Sequence, residues 1–300
     1  MRFGQQPLSR LASRLAVCAA AAGLAMSAAV PAQSAPSAPG VPSAPRLADV
    51  EIVQTTETVG DYQKVRAFCP DRKVVISGGA EAKADGSHNE SLAVVSSYPE
   101  FFPWQEESTL WVASARNFYG QPTTVTAWAV CATRPSGYEV VQTPFSQVPV
   151  DQPVTASCPA GKVALGGGGD IEGDRSALNK SYPAAFDSSG QPSQWVVAGR
   201  KGENTTVGVV ATVTCADPLP DVTWSTGKAT SNSPVGGFLA CKDGRQVVSG
   251  GASANGRETV LTASRPGLQK EGAVSDGWWG QAGSFYEPFE AQVYVMCTSR

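Results

Sequence analysis

The chain has 300 residues, 16% charged and 42% hydrophobic, with 31 Gly, 22 Pro and a formal net charge of −3. That balance excludes a disordered chain. It carries no run of Lys and Arg, which excludes nucleic acid as a partner, because affinity for nucleic acid comes mainly from neutralising phosphates.

Residues 1–32 read as a secretory signal: Arg2, Arg10 and Arg14 precede an apolar, Ala-rich run over residues 15–30, and Val30-Pro31-Ala32 is a small-residue cleavage site, with Ser34-Ala35 as a near alternative. A transmembrane anchor is the rival reading. The run is short and Pro and polar residues follow at once, so no membrane is expected as a partner after cleavage. The segment holds no acidic residue, so its loss takes the net charge three units further negative. Cys18 leaves with it. Residues 33–47 form an Ala-, Pro- and Ser-rich spacer.

The rest of the chain is written in triplicate, with units predicted over residues 48–135, 136–220 and 221–300. In each copy a Cys (Cys69, Cys158, Cys241) is followed nine residues on by Gly-Gly (Gly78-Gly79, Gly167-Gly168, Gly250-Gly251). A Ser-x-Pro comes next (Ser97-Tyr98-Pro99, Ser181-Tyr182-Pro183, Ser264-Arg265-Pro266), and twelve residues after each proline stands a Trp: Trp111, Trp195, Trp278. A closing Cys ends the copy at Cys131, Cys215 and Cys297. Six cysteines in an exported chain read as disulfides. They permit fifteen connectivities, and equivalence of the copies selects Cys69–Cys131, Cys158–Cys215 and Cys241–Cys297. There is no Cys-x-x-Cys and no Cys-His cluster for zinc.

Before the closing Cys, residues alternate with period two. Val125, Ala127, Ala129 and Cys131 share one apolar phase. Thr124, Thr126, Trp128 and Val130 occupy the other, mixed phase. That pattern predicts a half-buried strand with the Cys facing inward. The Gly-Gly pair at the end of a short apolar run predicts a bulge, a sharp bend or a close backbone approach. About six short strands are expected per copy. The fold class read from this is all-β: three tandem, disulfide-closed antiparallel repeats, each a small sandwich or sheet, either packed in a row or closed around a pseudo-threefold axis. The joins at residues 133–137 and 217–220 are short and carry Pro, so neighbouring copies should touch.

Chemistry-bearing motifs are few. The glycines at 166–169 lack the Gly-Lys-Ser/Thr of a phosphate loop and the helix of a dinucleotide fingerprint. Asp170, Glu172 and Asp174 alternate oxygen ligands in a way that calcium could use, but copy three carries no acidic residue at the matching places. His88, the only His, sits in a polar loop without a nucleophile elbow. Ser225 and Lys228 match Ser-x-x-Lys by four residues alone. No cofactor, metal or catalytic residue is therefore expected. The basic residue four after each first Cys (Lys73, Lys162, Arg245) reads as a turn charge or as a repeated contact for an acidic ligand.

Aromatic residues carry the functional expectation. Trp128 and Tyr294 occupy one equivalent outward position, Trp279 lies opposite Trp278, and Tyr98 and Tyr182 stand at the Ser-x-Pro corners. Rings on a rigid β scaffold suit sugar rings or a protein partner. The motif Cys-Pro-x-Gly-Lys, Gly-Gly, Ser-Tyr-Pro, Trp, Val-Cys-Ala resembles repeats of secreted actinobacterial proteins, a likeness that brings no activity with it. Three β copies also invite a fold-level analogy with β-prism lectins. The expected function is a secreted, non-catalytic protein that binds an extracellular glycan or protein. A structural coat component is the alternative, and a secreted hydrolase is the third.

Overall fold

In a computed structural model of the chain, the described residues are 46–84, 91–102, 104–201, 206–231, 235–267, 276–284 and 289–300. Residues 1–32, read above as a signal, most of the spacer and His88 lie outside them. Residues 43–300 form one compact unit. Among the described residues there are nineteen strands and no α-helix, hence no helix long and apolar enough to cross a membrane.

Copy one supplies β1 (Glu51–Val59), β2 (Val65–Phe68), β3 (Lys73–Lys83), β4 (Leu92–Pro99), β5 (Leu110–Asn117) and β6 (Thr123–Thr133). Copy two supplies β7 (Glu139–Gln142), β8 (Ser146–Pro149), β9 (Val154–Ser157), β10 (Val163–Glu172), β11 (Ser176–Phe186), β12 (Pro192–Lys201) and β13 (Thr206–Ala216). Copy three supplies β14 (Val222–Ser231), β15 (Val235–Ala240), β16 (Gln246–Asn255), β17 (Val260–Pro266), β18 (Gly277–Gly283) and β19 (Phe289–Thr298).

These strands build three antiparallel sheets, and every sheet is shared by two copies. Sheet I runs β1-β6-β3-β17-β18-β15, sheet II runs β2-β5-β4-β10-β13-β7 with β8 also on β13, and sheet III runs β14-β19-β16-β11-β12-β9. Each copy is thus a small sandwich of two half-sheets. Each half-sheet continues, edge to edge, into a half-sheet of the next copy. Copy one lies in sheets I and II, copy two in II and III, copy three in III and I, so the chain closes on itself around a pseudo-threefold axis. The seams are short: Ala263 and Ser264 pair with Glu81 and Ala80, Ser97 and Ser96 with Gly169 and Asp170, and Ser181 and Lys180 with Ala252 and Ser253.

The repeated residues explain this closure. Inside each sandwich the Trp of one layer lies on the first glycine of the opposite layer: Trp111 on Gly78, Trp195 on Gly167, Trp278 on Gly250. All three rings are fully buried. Each indole Nε1 donates to the serine of its own Ser-x-Pro, at 3.1 Å for Ser97 and 3.0 Å for Ser181 and Ser264. A buried N–H is thereby satisfied at no cost to the packing. The second glycine serves the seam. Gly79 lies against the backbone of Ser264 and Arg265, Gly168 against Ser97 and Tyr98, and Gly251 against Ser181 and Tyr182.

The expected bulge falls earlier than Gly-Gly. The ladder slips between Val75 and Ser77, between Ala164 and Gly166, and between Val247 and Ser249. The skipped residues Ile76, Leu165 and Val248 meet in one buried cluster drawn from all three copies. The strand then continues through the glycines. Beside the cluster, Ser77 and Ser249 share a hydrogen bond of 2.9 Å, and the third equivalent is Gly166, where a Cβ would press on Ile76 O and Ser77.

The disulfides are the expected ones: Cys69–Cys131, Cys158–Cys215 and Cys241–Cys297. The first Cys of each pair follows a strand in one half-sheet and its partner lies in the other, so the bonds tie sheet I to II, II to III and III to I. Replacing one pair, Cys69→Ala with Cys131→Ala, is expected to lower the unfolding free energy by about 4 kcal/mol in guanidinium titrations. Gly79→Ala, which drives a methyl group into the Ser264 carbonyl, should cost more than ~3 kcal/mol, because neither backbone can yield.

Candidate ligand-binding site

The aromatic residues read from the sequence as outward-facing are largely sealed. Trp128 is 8% exposed, Tyr98 8% and Tyr294 9%. The seam is the reason. Directly opposite the second glycines on the closing strands stand Trp128, Thr212 and Tyr294. Across the bare glycine come the middle residues of the neighbouring Ser-x-Pro: Arg265, Tyr98 and Tyr182. The Arg265 guanidinium lies 5.0 Å from the Trp128 ring centroid, and its Nη2 also donates to Glu81 at 3.1 Å. Tyr182 and Tyr294 stack at 5.1 Å with an interplanar angle of 11°. Thr212 offers no ring to Tyr98. There Lys64 substitutes, with its ammonium 5.2 Å from the Tyr98 centroid and donating to the phenol oxygen at 2.8 Å.

Trp279 is half-buried in the same row of sheet I. It pairs with Arg265 on one side and Phe238 on the other, with its ring covering Gly236. The five candidates are therefore divided among three sheets: Trp128 and Trp279 on I, Tyr98 on II, Tyr182 and Tyr294 on III. They do not converge on a common concavity. A period-two pattern identifies which face a ring occupies, but not which other strand covers that face.

The other motifs are absorbed similarly. Lys73 pairs with Glu51 at 2.6 Å, Lys162 with Glu139 at 2.5 Å and Arg245 with Asp221 at 3.4 Å. Each basic residue thus clamps the first strand of its own copy or the approach to it, and does not wait for an acidic ligand. Ser225 and Lys228 lie on the edge strand β14, where Lys228 pairs with Glu290. Asp170 is committed to Ser96 and Lys64. Among the described residues no three His, Cys, Asp or Glu side chains converge as metal ligands.

What sequence reasoning passed over is the β4–β5 connection. Phe102 and Trp104 stack there with centroids 4.9 Å apart and planes 18° apart, and Trp104 is 77% exposed. Trp is a residue that folding normally hides. The loop is anchored from below. Phe101 packs against the three-copy cluster, Arg66 pairs with Glu100 at 3.2 Å, and the buried Ser108 hydroxyl donates to Glu100 O at 2.7 Å. Gln105 N donates to Phe102 O at 2.8 Å and closes the turn beneath the rings. Beside the rings, Glu106 and Glu107 reach toward Arg134. In copy two the matching Phe186, the last residue of β11, is edge-on to Trp224 instead, and residues 268–275 of copy three lie outside the described set. A usable signal was present: Phe101, Phe102 and Trp104 cluster outside any alternating pattern.

Such a platform can stack on the apolar face of a sugar ring while neighbouring carboxylate and amide groups accept from its hydroxyls. The buried phenols have a different consequence. Burial, followed by the nearby Tyr182, pushes Tyr294 up to about 12, and burial raises Tyr98, Tyr138 and Tyr182 as well. A phenol raised above its unfolded value of about 10 contributes stability that is present below that pH and lost as pH rises toward the folded value. The melting temperature should accordingly fall between about pH 10 and about pH 12, and Tyr294→Phe should lessen the fall when melts are compared at pH 8 and at the top of that window. A scan against protein-family models matches none, and a search of curated proteins finds no match.

Proposed function

We propose that the chain is an exported, non-catalytic protein that binds an extracellular carbohydrate, with the Phe102–Trp104 platform as its principal contact. The observation that carries this reading is a large aromatic pair held in solvent by an anchored loop on a disulfide-clasped scaffold. Export draws support from the signal-like residues 1–32 and from three disulfides, which persist in oxidising compartments. The preformed loop spares a ligand the entropy of ordering it. A ligand-free extracellular scaffold is the second reading, favoured by the way the three disulfides lock all three sheets to one another.

Co-sedimentation with insoluble polysaccharides, and retardation in gels containing soluble ones, tests the proposal. Trp104→Ala should weaken retention by about tenfold or more, as for an exposed aromatic anchor, and shift the melting temperature little, because its ring is mostly in solvent. Wild-type retention by that variant on every polysaccharide bound would remove the platform from the function.

A further inference from the structure

The seam in sheet II differs from the other two in a way that opens a second site. Outside β4 and β10 lies a cleft of about 430 Å³, within the range of small-ligand sites. Its floor carries two buried hydroxyls, Ser96 and Ser114, joined at 2.8 Å. Ser96 donates to Asp170 Oδ1 at 2.5 Å, and Lys64 donates to Asp170 Oδ2 at 3.0 Å. The Tyr62 ring stands at one end, its hydroxyl held by Arg116 and by the backbone N–H of Arg175. Ser114, Ser96, Asp170 and Lys64 thus form one continuous polar wall, in which the buried hydroxyls hold the carboxylate while the Asp170 carboxylate and the Lys64 ammonium keep part of their surface open, as recognition of neighbouring hydroxyls on a ring requires.

The repeat supplies an internal control. Where sheet II has Ser96, Ser114 and Asp170, the pairing registers place Lys180, Ala198 and Ser253 in sheet III and Ala263, Gln281 and Glu81 in sheet I. Glu81 is consumed by Arg265 and Lys83. Beside Lys180, Arg200 is paired with Asp151, to which Asn179 Nδ2 also donates. Only in sheet II, among the described residues, does the seam combine a carboxylate with two hydroxyls.

Charge narrows the ligand. Lys64 is matched by Asp170, and Arg116 by Asp61 at 3.9 Å. The lip adds Glu172 and Asp174, both exposed and neither with a counter-ion among the described residues. Arg175, though adjacent in sequence, does not line the cleft. The acids do not converge as metal ligands, so their field is spread over the opening and suits an organic cation. We infer that the cleft binds a polyhydroxylated ring bearing a protonated amine, of the size of an amino monosaccharide. This site is separate from the Trp104 platform, and either can stand without the other.

Titration of the full chain with glucosamine, glucose, N-acetylglucosamine and 1,4-diaminobutane, followed by amide NMR and calorimetry, decides it. Glucosamine should shift amides of Lys64, Ser96 and Asp174, with glucose and N-acetylglucosamine about tenfold weaker for want of a charge-assisted contact. Glu172→Gln with Asp174→Asn, both at exposed positions, should weaken glucosamine by a similar factor without altering the melting temperature, whereas Trp104→Ala should leave it unchanged. No shift with any sugar, or equal affinity in the double variant, overturns the inference. A diamine that binds as tightly as glucosamine overturns the role given to the hydroxyls. Loss of glucosamine binding in Trp104→Ala would show that the platform, and not the cleft, is the site.

Discussion

Each Gly-Gly pair has to accommodate two close neighbours at once, one on either side of its strand. On one side an indole ring occupies the volume that a Cβ on the first glycine would need. On the other, the backbone of the adjacent copy crosses the second. The first contact closes a sandwich and the second joins sandwiches together. Packing at this density leaves no slack for even a methyl group, so the two glycines set both the thickness of each copy and the angle at which the next one meets it.

From that constraint comes the fate of the surface aromatics. A strand bare of side chains at the seam would leave a furrow on the outside of each sheet. The residues that flank it fill the furrow from both banks. Tyr182 meets Tyr294 and Arg265 meets Trp128, while Tyr98 is met by Lys64 reaching from the β1–β2 connection. Rings that read as binding determinants are therefore sheet-sealing pairs, each worth about 1 kcal/mol beyond its buried area. Ligand chemistry can arise where the copies diverge: in the aromatic loop of copy one, and at the seam where polar groups replace the ring pair.

Sharing every sheet between two copies also changes what the disulfides do. In an isolated sandwich a bond between layers would staple one unit. Here each layer belongs to a sheet that a second copy completes, so three bonds link three sheets in a ring. The short joins reinforce this closure. Asp217 N donates to Ser136 O at 2.9 Å, which ties the join after copy one to the join after copy two, and Tyr138 donates to Val75 O at 2.7 Å from within the shared cluster.

The all-β class, the three copies and the pairing of the cysteines were legible in the residues themselves. Alternation marks a strand, and equivalence among copies restricts which Cys can meet which. Ala113 and Ala115 share a strand face with Trp111, as Val197 and Gly199 do with Trp195, and a large ring beside small residues marks a core position in the residues alone. The partner of each strand edge was not legible. Ala80 pairing with Ser264 of another copy looks no different in sequence from pairing within its own. The exposure of Trp128 and Tyr294 depended on that partner, as did the cleft beside Asp170. Local pattern determines which way a side chain points, since the pleat is a property of the backbone of one strand. What lies across from it is decided by contacts between residues far apart in the chain, and only the closed tertiary structure brings those together.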